Sequence, residues 1–143
     1  MDGVFLESGE PCLKYGCTLC CHGTIMPLTW IDIKRIVKLG YGISDFAERI
    51  NREWRLRNVH GRCFFLEGSR CKIYRYRPYG CQLYPLVYDW SRRKITLDKL
   101  CPYRGEFKIR GEDARKLMFV LSSLRRPVKK QKVFKMSINN LSW

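Results

Sequence analysis

The cysteines constrain this chain more than any other feature of its sequence. Eight of them occur in 143 residues, and the segment CLKYGCTLCC at residues 12–21 holds four, of which the last two are adjacent. The full set is Cys12, Cys17, Cys20, Cys21, Cys63, Cys71, Cys81 and Cys101. A chain of this length builds one domain with a modest hydrophobic core, so cross-links through disulfides or metal ions would stabilise it substantially.

The cellular compartment decides whether such cysteines form disulfides or bind metal. The sequence has no apolar stretch of about 18 residues that would span a bilayer. Its first residues include Asp2, Glu7 and Glu10, where a secretory signal would have a basic segment followed by an apolar one. We therefore expect a cytoplasmic protein, in which thiols stay reduced and bind a metal or a cluster. Disulfides are the minor alternative, because intracellular proteins of hyperthermophiles use them.

The spacing of the cysteines predicts shared ligation between distant segments. Four thiolates complete a tetrahedral zinc site or hold a cubane cluster, so eight predict two zinc sites, or an iron–sulfur cluster with or without zinc. Cys17-x-x-Cys20 has the short spacing that suits one ion. Cys20 and Cys21 are neighbours whose side chains diverge in an extended segment. This pair is therefore expected to straddle two sites, or two edges of one cluster, so that the N-terminal loop and residues 63–101 share ligands.

Periodicity and capping residues predict a small α+β domain. After an irregular lead-in, a helix is expected at about 28–39, capped by Thr29, and a third helix at about 111–125. Between them a second helix is expected from Ser44 to Trp54. Its buried side would consist of Phe46, Ala47, Ile50 and Trp54.

Two segments between the second and third helices predict hairpins. RCFFLEGSRCKIY has strand-forming residues on both sides of a Gly68-Ser69 turn, and LVYDWSRRKITL turns around residues 91–94. The expected architecture is thus a single domain over residues 1–125 that bound metal cross-links, with about three helices and short hairpins. Residues 126–143 would form a basic C-terminal arm.

The order of these motifs resembles the YkgJ-type cysteine-cluster family of zinc- or iron-chelating proteins. That family has a Cys-x-x-Cys-Cys start, a Cys-x-Phe-Leu segment, and then Cys-x-Ile-Tyr-x-x-Arg-Pro-x-x-Cys-x-x-Tyr-Pro. The matching residues are Cys17, Cys20, Cys21, Cys63, Phe65, Leu66, Cys71, Ile73, Tyr74, Arg77, Pro78, Cys81, Tyr84 and Pro85. The resemblance covers residues 12 to about 101 and implies a metal or iron–sulfur centre held by those cysteines.

Catalysis has little support in the sequence. One branch of the family resembles flagellin lysine methylases, but this chain is short and has no Gly-rich strand-turn-helix for an adenosyl cofactor. His22 and His60 have no clear carboxylate or nucleophile beside them, and the common hydrolase, nucleotide-binding and metalloprotease motifs do not occur. We therefore predict no catalytic residues and no small-molecule substrate. The alternative is an iron–sulfur redox protein, or an enzyme of the family such as a protein-modifying enzyme.

The charge predicts a polyanionic partner. Lys and Arg number 28 against 13 Asp and Glu, a net charge of +15 that attracts nucleic acid or anionic membranes. Basic residues are clustered with aromatic ones in the segments at 52–62 and 70–79 and in the acid-free tail from Arg125, and such residues neutralise phosphates and stack on unpaired bases. The predicted RNA contacts are Arg52, Arg55, Arg57, Arg62, Arg75, Arg77, Arg92, Arg93, Arg125, Arg126, Lys129, Lys130, Lys132 and Lys135. Arg77 has a second possible role, as a donor to the backbone or to cluster sulfur.

RNA is favoured over DNA because no helix-turn-helix, zinc-finger or basic-zipper spacing occurs. A small core with a long basic arm suits a partner whose helices leave channels for protein tails, and no acidic residue follows Asp113. We expect a ribosomal or ribosome-associated protein that contacts rRNA and neighbouring ribosomal proteins. A membrane surface is not expected, because the third helix lacks a basic face opposite large apolar groups and no lipidation motif occurs.

Overall fold

Short helices and short strands alternate along residues 3–124, the part of the chain that the computed structural model describes. The α-helices are α1 (Glu10–Tyr15), α2 (Trp30–Lys38), α3 (Ile43–Phe46), α4 (Tyr79–Leu83) and α5 (Gly111–Ser123). The strands are β1 (Val4–Phe5), β2 (Ala47–Ile50), β3 (Glu53–Leu56), β4 (Asn58–Val59), β5 (Arg62–Cys63), β6 (Leu66–Glu67), β7 (Arg70–Cys71), β8 (Leu86–Asp89), β9 (Lys94–Leu97) and β10 (Phe107–Lys108). This mixture confirms the predicted small α+β domain.

The strands pair locally, with one exception. Four antiparallel pairs join β2 to β3, β4 to β5, β6 to β7 and β8 to β9. The exception is the parallel pair of β1 and β10, which ties the start of the described chain to the segment before α5. Gly3 makes this close approach possible, because a methyl group on its Cα would lie 2.9 Å from the backbone nitrogen of Lys108.

The first predicted helix is confirmed as α2. Thr29 caps it: its hydroxyl accepts a hydrogen bond from the Asp32 N–H at 3.1 Å, and Asp32 accepts one from the Thr29 N–H at 3.0 Å. This reciprocal capping box satisfies two N–H groups that a helix start would otherwise leave without partners. Asp32 is completely buried.

The prediction of a second helix running to Trp54 is wrong beyond Phe46. The chain instead forms the β2–β3 hairpin, whose turn at Asn51 and Arg52 has φ angles of 53° and 65°. Tertiary contacts override the helical periodicity, because the free edge of β3 bonds to the segment before α2: Leu28 donates to the Trp54 carbonyl at 2.8 Å. An isolated helix has no such partner, so periodicity alone could not reveal this pairing.

The other predicted elements agree with the structure, apart from the lead-in. The hairpins appear as β6–β7 and β8–β9, and the third helix as α5. The N-terminal region, predicted to be irregular, contains α1, which has Pro11 in its first turn and Gly9 and Gly16 at its two ends. A bilayer-spanning helix needs about 20 apolar residues, and none of the helices in the described range meets that requirement. The predicted arm at 126–143 lies outside the described residues.

The buried apolar residues form two hydrophobic cores. The first packs α5 and the β8–β9 hairpin together, and its buried residues are Leu6, Leu83, Leu86, Tyr88, Ile95, Cys101, Phe107, Ala114, Leu117, Met118, Val120 and Leu121. The second packs α2, α3 and the β2–β3 hairpin together, and its buried residues are Leu28, Ile33, Ile36, Phe46, Ala47, Leu56, Cys63, Phe65, Leu66 and Ile73. Helix α4 belongs to both, since Leu83 lies in the first core and Cys81 packs against the second.

Candidate metal centre

Seven of the eight cysteines line one cavity of about 80 Å³. They come from both cores and from the turns between them, and they are Cys12, Cys17, Cys20, Cys21, Cys63, Cys71 and Cys81. Cys101 is buried in the first core and lies close enough to this group to repel the Cys12 thiolate electrostatically. All eight thiols thus belong to one neighbourhood.

The N-terminal cysteines reach the cavity because α1 stops abruptly. Gly16 has a φ of 62°, and its N–H bonds to the carbonyls of Cys12 and Leu13. This left-handed cap reverses the chain at low cost because glycine has no Cβ. Cys17 then donates its N–H to the Cys12 carbonyl at 2.9 Å, so both thiols face the same cavity.

Three cysteines share a local turn that favours the charged form of sulfur. In each, the sulfur accepts a hydrogen bond from the backbone N–H two residues later, and the pairs are Cys63 with Phe65, Cys71 with Ile73 and Cys101 with Tyr103. Backbone donors aimed at sulfur stabilise a thiolate and tune metal centres that thiolates hold. The sequence signal for this turn is a cysteine followed after one residue by a large apolar or aromatic side chain, and it occurs at all three positions.

Burial opposes these hydrogen bonds. It raises the pKa of Cys63, Cys71, Cys81 and Cys101 above the usual thiol value, and raises that of Cys12 to about 11. Nearby thiolates raise these pKa values further by repulsion. A bound cation reverses both effects, because its positive charge compensates the desolvated sulfurs.

Cys20 and Cys21 behave as a pair. The thiol of Cys21 donates a hydrogen bond to Cys20, which lowers the pKa of Cys20 to about 7 and raises that of Cys21. Cys20 is the exposed member of the pair. Cys20 is therefore the member of this pair that ionises first as the pH rises.

Arg77 brings a positive charge to the cavity wall. Its charge lowers the pKa of four thiols, namely Cys12, Cys20, Cys71 and Cys81. The guanidinium lies 4.0 Å from the centre of the Tyr74 ring, and the Tyr74 hydroxyl donates to the Ser8 carbonyl at 2.5 Å.

Gly9 makes room for this pair. A methyl group on its Cα would overlap the Tyr74 hydroxyl and would lie 2.8 Å from Arg77 Nη1. Gly9 also has a φ of 58°, a conformation that other residues adopt at a cost.

The donor set fits zinc or an iron–sulfur cluster. Thiolates select zinc, copper(I) and iron–sulfur clusters, whereas calcium and magnesium require oxygen ligands. Among residues 3–124, no three His, Cys, Asp or Glu side chains form a ready-made ion site.

The two histidines lie apart from the cavity wall. His22 Nε2 is 3.0 Å from the Thr18 hydroxyl, and His60 lies in the turn between β4 and β5 with a φ of 54°. Neither residue is among those that line the cavity.

The predicted RNA contacts have different surroundings. Arg77 lines the thiol cavity, in agreement with the second role suggested for it. Arg55 pairs with Glu53 at 3.1 Å, and Arg57 donates to the Ser44 carbonyl at 2.9 Å. Arg92 lies 3.8 Å from Asp89. The exposed remainder comprises Arg52, Arg62, Arg75 and Arg93, and the contacts that lie outside the described residues are Arg125, Arg126, Lys129, Lys130, Lys132 and Lys135.

Comparison with known proteins agrees with this centre. Residues 11–102 match the model of the CxxCxxCC family, whose description is "Putative zinc- or iron-chelating domain". An uncharacterized protein of Methanocaldococcus jannaschii, MJ0661, is 33% identical over 96 residues, which cover 60% of this chain and 50% of that protein. The chain therefore spans about half the length of this curated relative, and no solved structure matches it. Since the family model covers well over half of the sequence and includes all eight cysteines, the chain belongs to the CxxCxxCC family of cysteine-cluster domains.

Proposed function

We propose that the cysteines hold one shared zinc or iron–sulfur centre that joins the two hydrophobic cores. One observation carries this proposal: the first core contributes Cys12 and Cys101 to the thiol neighbourhood, and the second contributes Cys21, Cys63, Cys71 and Cys81. A centre bound to thiols from both sides would cross-link the two halves of the fold. This favours one shared centre over two independent sites.

The energies support a structural role for the metal. Binding of a structural zinc ion contributes about 10–16 kcal/mol at neutral pH, whereas a whole domain is stable by only about 5–15 kcal/mol. The two cores are small, so the metal would decide whether the domain is folded. The metal would then stabilise the fold, and the function would depend on the surface of the folded domain.

The test compares metal content and stability on one preparation purified without oxygen. Zinc without colour, or iron with a broad visible absorption, identifies the centre, and chelation is expected to abolish cooperative unfolding. A metal-free protein that unfolds at the same denaturant concentration as the loaded protein would contradict the proposal. A reducible iron–sulfur chromophore that is not needed for folding would support the redox alternative.

We further propose that the folded domain binds RNA, and ribosomal RNA with its neighbouring proteins in particular. The net charge of +15 supports a polyanionic partner, and six predicted arginines are exposed: Arg52, Arg57, Arg62, Arg75, Arg92 and Arg93. Phosphate contacts release counterions, so the affinity must fall steeply with salt. Co-sedimentation of the native protein with ribosomes at low salt, and its release at high salt, is expected; a protein that stays in the soluble fraction at low salt would contradict this proposal.

A further inference from the structure

An open groove runs along the side of the β2–β3 hairpin and shares no lining residue with the thiol cavity. Its volume is about 880 Å³, within the range of about 300–1,000 Å³ that is typical of ligand sites. Two tryptophans and three arginines are among its lining residues, and the full set is Leu28, Trp30, Arg49, Asn51, Arg52, Glu53, Trp54, Arg55, Ser123 and Leu124.

The aromatic surface in this groove is accessible. Trp30 is the first residue of α2 and is 57% exposed. Trp54 is half-buried on β3 and lies opposite Arg49 in the hairpin, with the Arg49 guanidinium 5.5 Å from its ring centre. An exposed tryptophan face is available to stack on a planar ligand.

The charge of the groove favours an anion. Arg49, Arg52 and Arg55 contribute three positive charges, and Glu53 contributes the single negative charge among the lining residues. Glu53 pairs with Arg55 at 3.1 Å, and Arg49 and Arg52 are both exposed. The two exposed guanidiniums therefore dominate the local field.

The backbone holds Arg52 in an unfavourable conformation. Asn51 and Arg52 form a hairpin turn in which both residues have positive φ, a turn in which Asn-Gly is strongly preferred. Arginine lacks the backbone freedom of glycine, so this turn is strained at Arg52. The strained turn places the Arg52 guanidinium at the groove. Strain of this kind is concentrated at functional sites.

We propose that this groove, which we name the Trp30–Trp54 groove, binds unpaired nucleotides by stacking bases on its tryptophans and neutralising phosphates with Arg49 and Arg52. Bases in a duplex are already stacked on each other, whereas bases in a single strand can stack on aromatic side chains. This inference rests on the proposed RNA binding and names the site for it.

The C-terminal segment of the chain is a weaker candidate occupant. It follows Leu124 at the edge of the groove and carries six basic residues and no acidic one at positions 125–143. Its charge has the same sign as that of the groove, so the two repel each other unless a polyanion lies between them. The same charge that disfavours the segment as an occupant adds to the attraction for a nucleic acid.

The test uses the full chain with its metal and a labelled oligonucleotide of about ten nucleotides, within the range that single-strand sites cover. We expect Trp30→Ala to weaken single-strand binding about tenfold, and Trp30→Phe to retain part of the affinity because it keeps an aromatic face. Trp90→Ala is the matched control, since Trp90 is 43% exposed on the β8–β9 turn, outside the groove. The control should bind like the natural protein.

Salt titration separates stacking from charge. Trp30→Ala should leave the slope of affinity against salt unchanged, whereas Arg49→Gln and Arg52→Gln should each reduce it by about one. Quenching of tryptophan fluorescence on binding should be smaller in Trp30→Ala than in Trp90→Ala. Single-stranded RNA and DNA of one sequence show which nucleic acid the groove takes.

The outcomes distinguish the groove from the general RNA proposal. If the natural protein binds RNA and Trp30→Ala binds equally well, or if duplex is preferred to single strand, the groove is not the site and RNA binding stands. If the natural protein binds neither RNA nor DNA at low salt, both proposals fail. Equal binding of DNA supports the groove and removes the preference for RNA.

Discussion

The Asp32 carboxylate accepts a hydrogen bond from the backbone N–H of Tyr79 at 3.0 Å, although the two residues are 47 positions apart. The same carboxylate caps its own helix through the Thr29 N–H. One buried side chain therefore accepts hydrogen bonds from backbone N–H groups at the N-termini of both α2 and α4. Because α4 carries Cys81 and begins two residues after Arg77, this contact sets where two residues of the thiol cavity lie.

Replacing Asp32 by alanine should destabilise the metal-loaded domain by about 2–4 kcal/mol, because it removes a helix cap and leaves buried N–H groups without acceptors. Urea unfolding measures this change. Asp45→Ala is the control, since Asp45 caps α3 at an exposed position with a 3.2 Å bond to the Gly42 N–H, and should cost about 1 kcal/mol. Equal losses in the two variants would show that the link to Tyr79 adds no stability.

Gly9→Ala should be far more damaging than Gly16→Ala. Both glycines lie at the ends of α1 with positive φ angles, 58° and 62°. A methyl group at Gly16 meets nothing within 4 Å, whereas at Gly9 it meets Tyr74 and Arg77. Gly16→Ala should lose only about 1 kcal/mol for the left-handed backbone, while Gly9→Ala should also lower the metal content of the purified protein. Equal metal content and stability in the two variants would contradict the packing described for Tyr74 and Arg77.

A shared centre predicts that single cysteine substitutions in different cores have the same effect. Cys12→Ser, next to the first core, and Cys63→Ser, in the second, should reduce total metal per chain to a similar extent and disturb the same spectroscopic signal. Cobalt substitution or iron spectroscopy provides that signal. Two independent zinc sites would instead leave each variant with half of its metal in an undisturbed environment.

Metal affinity should rise with pH. The pKa of Cys12 is raised to about 11 by burial first and by neighbouring thiolates second, and those of Cys63, Cys71, Cys81 and Cys101 are raised by burial. Each thiol that ligates must release its proton, so protons compete with the metal more strongly as the pH falls. Because the pKa of Cys20 is about 7, this thiol also takes up a proton when the pH falls below neutrality. The metal affinity should therefore fall most steeply there. Competition with a chelator of known affinity between pH 6 and pH 9 measures the slope, and a flat profile would contradict thiolate ligation.

Arg77→Gln should weaken the centre without unfolding the protein. The substitution removes a positive charge that stabilises four thiolates but retains a polar side chain that can still donate hydrogen bonds. We expect metal affinity to fall about 10- to 100-fold, as is typical when a partner outside the ligand set is lost. Arg75→Gln is the control, because Arg75 is exposed two residues away. If Arg75→Gln lowered the metal affinity as much as Arg77→Gln does, the effect would come from the net charge and not from the position of Arg77.

Most of the helices and hairpins could be predicted because their signals are local. The capping box of Thr29 and Asp32, the Gly68-Ser69 turn and the amphipathic pattern of α5 all act within a few residues of the chain. The second predicted helix failed because Ala47 and Leu56 are buried together across a hairpin. A hairpin and a helix would each bury some of the apolar side chains of this segment. The backbone contact with the Leu28 segment therefore determined that the hairpin forms.

The sequence by itself determined the chemistry of this protein: eight thiols in an order that identifies the family, and an excess of positive charge on its residues. Only the tertiary structure decided that thiols from two separate cores meet at one cavity and that Arg77 faces them. It also placed Trp30 and Trp54 along one groove with Arg49 and Arg52. The physical reason is that ligand type and charge are properties of single residues, whereas a cavity and a groove exist only where segments distant in the chain pack against each other.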